Sequence, residues 1–150
     1  MFLSLMANPK LKCIGVDVCK QLEPTWGRVD LFVPAAIRWL KTSLKANVLL
    51  LEGDSRIVIP QYIASQNIEN QLVNIDLLHL DGDKKNYLTD FINVQPLLAE
   101  GATILVDDTN MAMCRKAVEQ MIAIGYAEPH PDYPDFNDEK YQNTVLRKTN

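Results

Sequence analysis

The chain has 150 residues, 47% hydrophobic and 23% charged, with a formal net charge of -4. That length suits one domain, since domains cluster near ~100–150 residues, and the composition is that of a soluble globular protein rather than a disordered one. Mild acidity, with basic residues only in short pairs such as Lys84-Lys85 and Arg147-Lys148, argues against a nucleic-acid partner, and no run reaches the ~20 apolar residues that span a bilayer.

In chain order, the opening MFLSLMANPK is too short in its apolar run for a signal peptide and lacks a basic start. LKCIGVDV (11–18) is the first strand-length run. Cys13, Cys19 and Cys114 form an odd set without CxxC spacing, which suggests neither a disulfide framework nor a zinc site and fits a reducing, cytoplasmic setting. CKQLEPTWGRVDL (19–31) reads as a loop in which Trp26 either packs or walls a substrate pocket. PAAIRWLKTSLK (34–45) predicts a helix, with Pro34 in its first turn, a stripe at Ala36, Ile37, Leu40 and Leu44, and Trp39 packed.

ANVLLLEG (46–53) and NIDLLHLD (74–81) are further strand runs, and His79, set among aliphatic residues, reads as a core histidine. KNYLTDFINVQPLL repeats a helical period through Tyr87, Leu88, Phe91, Ile92 and Val94, with Pro96 as terminus or kink. ATILVDD (102–108) is a strand. NMAMCRKAVEQMIAIG reads as a helix from a capping Asn110 to a C-terminal Gly125, with Met111 and Met113 facing either substrate or core. AEPHPDYPDFNDEK (127–140), which contains His130, reads as a surface loop, and YQNTVLRK (141–148) as the last strand. Strand runs alternating with helices predict an α/β fold with a doubly wound, mostly parallel sheet, and nearly continuous Leu, Ile and Val is what strands covered on both faces require.

Ligands of open parallel sheets sit outside the carboxyl ends of the strands. Here four strands end acidic, at Asp17, at Gly53-Asp54-Ser55, at Asp81-Gly82-Asp83 and at Asp107-Asp108. Any one such Asp is commonly a helix cap or a turn residue. Asp81, Asp107 and Asp108 crowded at one edge would repel one another unless a cation were bound there, and hard oxygen donors suit magnesium, manganese or calcium.

The stretch NIDLLHLDGDKKNYLTDFINVQPLLAEGATILVDDTN (74–110) resembles the fourth and fifth strand segments of class I S-adenosylmethionine-dependent O-methyltransferases. The resemblance is to the metal-dependent branch, of the macrocin and catechol types. It implies a Rossmann-like methyltransferase domain over residues 1–150, with S-adenosylmethionine and Mg²⁺ as cofactors and a hydroxyl of a small molecule, sugar or catechol-like, as acceptor. By the same resemblance Asp81, Asp107 and Asp108 hold the metal and Lys84 matches the catechol-type general base. LLEGDSRIVIPQY (50–62) is similar to the segment whose residues matching Asp54, Ser55 and Arg56 lie by the adenine, and IGVDV (14–18) to the strand whose acid, here Asp17, holds the ribose hydroxyls.

The sequence departs from the family at its start: a first strand ending in a Gly-rich turn, E/D-x-G-x-G-x-S, has no counterpart, and MFLSLMANPK is similar to the helix after it. In the family that strand is central, so the expectation is either an N-terminally incomplete domain or a remodelled cradle in which strands two and four close up. Mechanistically the metal would chelate two neighbouring acceptor oxygens and lower the pKa of the one to be methylated. Two rivals share features of the sequence. Asp81-Gly82-Asp83 fits the DxD of a metal-dependent nucleotide-sugar glycosyltransferase, and the absent glycine turn fits a degenerate, non-catalytic interaction domain. The acceptor's identity and a homo-oligomeric state are left open.

Overall fold

Strand β1, Lys12–Asp17, and strand β2, Asn47–Glu52, run parallel in unbroken register from the pair Lys12 and Asn47 to the pair Asp17 and Glu52. Helix α1, Val29–Ser43, joins them, as a parallel pair requires a crossover. The computed structural model describes residues 8, 10–20, 27–68, 74–133, 136–137 and 142–149; Trp26 lies outside them.

Helix α1 begins five residues before the predicted start, so Pro34 sits inside it. Leu31 and Phe32 N–H groups bond to the Arg28 carbonyl, and the Arg28 guanidinium holds Asp30 at 2.7 Å, placing a carboxylate in the first turn where the helix dipole favours it. That turn forms upstream of Pro34 and tolerates the one backbone donor the ring removes. Ile37, Leu40, Ala46 and Val48 form a buried cluster against which Cys13, Val33, Leu44 and Leu50 pack. Burying an Ile, Leu or Val side chain of this kind contributes ~1.5–3 kcal/mol. Trp39, expected to pack, is 42% exposed, because it lies off the Ile37–Leu40 face.

Helix α2, Ser55–Ile68, follows β2, with Pro60 inside it and no sharp apolar stripe, which is why periodicity did not reveal it. The chain divides into two compact units, Met1–Ile59 and Pro60–Asn150.

The second unit carries strand β3, Ile75–Leu80, helix α3, Tyr87–Val94, strand β4, Leu98–Val106, and helix α4, Ala112–Ala123. Three strands follow, β5 at Ala127–Pro129, β6 at Phe136–Asn137 and β7 at Gln142–Lys148. The sheet order is β3-β4-β7-β5, with β6 also paired to β7. β3 and β4 are parallel, whereas β7 returns antiparallel to β4, β5 and β6. The region 127–140 is therefore not wholly a loop: two short strands within it pair with β7, their backbone groups answering the β7 edge.

The mixed α/β, parallel-dominated and Rossmann-like architecture agrees with the expected fold class. Among the described residues β1 pairs with β2 alone and β3 with β4 alone. Tyr87, Phe91 and Val94 of α3 and Cys114, Ala117, Val118 and Met121 of α4 are buried at helical spacing, and the two helices pack together. Pro96 ends α3 in a short 3-10 turn, Gln95–Leu97, so β4 starts four residues before 102. Met111 rather than Asn110 precedes the first turn of α4, and Gly125 closes it with φ +76°.

Candidate functional site

The carboxyl ends of β3 and β4 adjoin. The pairing of Leu80 with Val106 is extended by a hydrogen bond from Asp107 N–H to the Leu80 carbonyl at 3.0 Å, which sets Asp107 beside Asp81. Side chains two apart on a strand share a face, so His79 and Asp81 project together. One ligand atom from each of His79, Asp81 and Asp107 lies within 4.8 Å of the others.

Asp108 is engaged differently. It has φ +54°, a left-handed conformation that Asp tolerates, and its N–H donates to Asp107 Oδ1 at 2.8 Å. Its Oδ2 lies 2.8 Å from Lys84 Nζ. Lys84 Nζ also donates to Asp81 Oδ1 at 3.0 Å and to the Tyr87 hydroxyl at 2.8 Å. Burial of Lys84 works against its charge, but hydrogen bonds to Asp108, Tyr87 and Asp81 outweigh it and raise its pKa above the usual lysine range. Tyr87 is fully buried, and desolvation pushes its phenol up to about 12 although Lys84 opposes the shift.

Local chemistry explains why the residues sit here. Asp83 caps the 3-10 turn Lys84–Asn86 by accepting from Lys85 N–H at 3.2 Å, and that turn brings Lys84 back over the strand ends. Asp83 thus acts as a cap, the ordinary role for Asp after a strand. Thr109, 3% exposed, bonds Thr144 of β7 at 3.1 Å and pins the segment after Asp108.

In the first unit, Asp17 ends β1 and its Oδ1 accepts from Cys19 N–H at 2.6 Å, while Gly53 N–H donates to the Asp17 carbonyl at 2.9 Å. The Cys19 thiol is raised by burial and by the charges of Asp17 and Glu52. Asp54 caps α2: Oδ1 accepts from Arg56 N–H at 3.0 Å, and the Arg56 guanidinium binds both carboxylate oxygens, at 3.0 and 2.6 Å. The Arg56 side chain holds the Asp54 carboxyl down at about 2. Ser55 is the first residue of α2.

Asp81 and Asp107 therefore converge with His79, Asp108 turns to Lys84, and Asp17 and the Asp54–Arg56 pair stand at the exits of β1 and β2. His79 corrects the sequence reading, since it is exposed rather than in the core; its spacing of two from Asp81 was the available signal. Tyr87, read only as part of an apolar stripe, is also the polar partner of Lys84, and its buried hydroxyl had no signature in the sequence. Met111 and Met113 are 41% and 45% exposed and do not fill the core. His130 Nδ1 accepts from Asp132 N–H at 3.3 Å and the ring meets Tyr133 edge-on at 4.7 Å, a local turn contact.

A Rossmann-like α/β chain with charged groups at the carboxyl ends of its parallel strands is built like a nucleotide-cofactor enzyme. A family model described as "Methyltransferase domain" matches residues 1–109, and the chain belongs to that family. Solved structures agree in fold. An O-methyltransferase from Bacillus cereus in complex with SAH is 15% identical with TM-score 0.58, covering 99% of this chain and 78% of that one. Cofactor-bound Rv0187 from MTB is 14% identical with TM-score 0.62, at 99% and 77% coverage, and the O-methyltransferase NovP is 16% identical with TM-score 0.60, at 97% and 64%. No curated protein sequence matches the chain.

Proposed function

We propose that the chain carries out S-adenosylmethionine-dependent, divalent-cation-assisted O-methylation of a small molecule bearing neighbouring oxygens, a sugar diol or a catechol-like compound. The observation that carries this reading is the convergence of Asp81 and Asp107 at adjacent strand exits, in a chain matched over residues 1–109 to a methyltransferase domain. Three free cysteines, two of them buried, fit a cytoplasmic setting. No helix among the described residues is long and apolar enough to cross a membrane.

The cofactor supplies a methyl group on a sulfonium, and a divalent cation supplies Lewis acidity that acidifies the bound hydroxyl. On the protein side, Asp17 accepts from the ribose hydroxyls, and its half-buried carboxylate at the end of β1 suits that role. The Asp54–Arg56 pair, at the first turn of α2, borders the adenine together with Ser55. Asp81 and Asp107 hold the cation and Asp108 completes the acidic edge. Lys84 orients the acceptor oxygen through Nζ; to act as base it first passes its own proton to solvent as the ion pairs to Asp81 and Asp108 open, and then takes the acceptor's proton as the free amine. Orientation of the reacting oxygen, methyl carbon and sulfur is worth up to ~7–11 kcal/mol in favourable cases.

The deciding experiment is calorimetric titration with S-adenosylhomocysteine, followed by methyl-transfer assays on a panel of vicinal diols with and without chelator. Binding of S-adenosylhomocysteine with chelator-sensitive transfer is expected. Binding of a uridine diphosphate sugar instead would favour the glycosyltransferase reading of Asp81-Gly82-Asp83, and no heat with either would favour a non-catalytic interaction domain.

A further inference from the structure

We propose that the cation at this edge is bound through an imidazole: His79, Asp81 and Asp107 form a nitrogen-containing, three-donor face for a first-row transition dication, and Lys84 keeps Asp108 out of the set. The proposal deepens the metal-assisted reading above and rests on it only for its catalytic meaning.

The strand geometry builds this face without distortion. β3 alternates, so His79 and Asp81 point to one side while Leu80, 5% exposed, points to the other. The parallel register pairs His79 with Leu105, and the Asp107 N–H to Leu80 carbonyl bond continues that register by one step. Three ligand atoms consequently stand within 4.8 Å of one another. Metal–ligand bonds of ~2.0–2.2 Å hold donors at most about 4.4 Å apart, so small side-chain rotations close the site. Such rotations are open to His79 and Asp81, both exposed.

Two further observations select this set. The His79 imidazole is exposed and among the described residues has no hydrogen-bond or ion-pair partner, so it is free to offer a ring nitrogen. Asp108 is turned away by φ +54° and its Oδ2 lies 2.8 Å from Lys84 Nζ, outside the converging group of His79, Asp81 and Asp107; Lys84 also reaches Asp81 Oδ1 at 3.0 Å, so Asp81 meets the cation through its other carboxylate oxygen. An oxygen-only triad would match magnesium. Replacing one carboxylate by imidazole shifts preference toward manganese, cobalt or zinc, because nitrogen is a poor ligand for hard alkaline-earth ions and a good one for first-row transition ions.

The test uses the full chain with Mn²⁺ and Mg²⁺ as probes, titrated separately by calorimetry, and pulsed electron paramagnetic resonance of the Mn²⁺ form. Expected are Mn²⁺ binding at least ~10-fold tighter than Mg²⁺, nitrogen modulation in the Mn²⁺ spectrum, and loss of both in His79→Ala, which circular dichroism shows to be folded. Mn²⁺ bound without nitrogen modulation, equal affinity for the two ions, or an unchanged His79→Ala each overturns the proposal. Titration with S-adenosylhomocysteine separates the two readings. S-adenosylhomocysteine binding without nitrogen-ligated Mn²⁺ sinks the imidazole site alone, and nitrogen-ligated Mn²⁺ without S-adenosylhomocysteine binding sinks the methyl-transfer reading alone.

Discussion

Lys84 Nζ lies 2.8 Å from Asp108 Oδ2, joining the turn after β3 to the exit of β4. The lysine side chain is 20% exposed and the aspartate 29%, so water screens the pair only in part. Repulsion among the carboxylates at this edge is thus relieved by a cation from the chain itself. Lys84→Met removes that relief and leaves a half-buried carboxylate with one fewer donor. A stability loss of ~1–3 kcal/mol is expected in urea unfolding. A loss below about 0.5 kcal/mol would show that solvent screens the pair as it does an exposed one.

Alkaline pH reaches the same cluster through Tyr87. Its phenol is held up at about 12 by burial against an ordinary value of 10.0. The folded state binds this proton more tightly than the unfolded state. The contribution is therefore full below pH 10 and is lost as pH rises from 10 through about 12, an effect of roughly 2–3 kcal/mol. Unfolding measured across this range should show a shallower alkaline decline for Tyr87→Phe than for the parent chain, and parallel declines would refute the assignment.

Gly53 separates β2 from the Asp54 cap with φ +143°, and a Cβ placed there would stand 2.7 Å from Val58 Cγ1. Gly53→Ala combines a disfavoured backbone with that overlap, and a cost of ~1–3 kcal/mol is expected from thermal unfolding. Gly82→Ala serves as the comparison, since no atom lies within 4 Å of its Cβ position. Equal stabilities for the two variants would contradict the geometry.

At the end of β1, Asp17→Asn keeps an oxygen able to accept from Cys19 N–H and removes the charge. Unfolding free energy should change by less than about 0.5 kcal/mol, as for a surface substitution. Affinity for S-adenosylhomocysteine should fall at least ~10-fold, the value of a charged hydrogen bond to a hydroxyl. Unaltered affinity in calorimetry would remove Asp17 from the ribose site.

The sequence alone determined the strand runs, the α3 and α4 stripes and the family, because apolar periodicity and the ordered segments LDGDKKNY and VDDTN are local properties of the chain. It also placed carboxylates at strand ends, since strand and acid are neighbours in sequence. It could not determine which of them meet. Asp81 and Asp107 are 26 positions apart by number, and only the β3–β4 register, carried on by the Asp107 to Leu80 bond, decides that they stand together with His79. Likewise the left-handed turn at Asp108 and the 3-10 turn carrying Lys84 decide that Asp108 faces an ammonium. Helix α2, with Pro60 inside and no clear stripe, left no periodic signal, and the short β5 and β6 strands were settled by tertiary pairing with β7. Their backbone groups found partners that no local pattern specified.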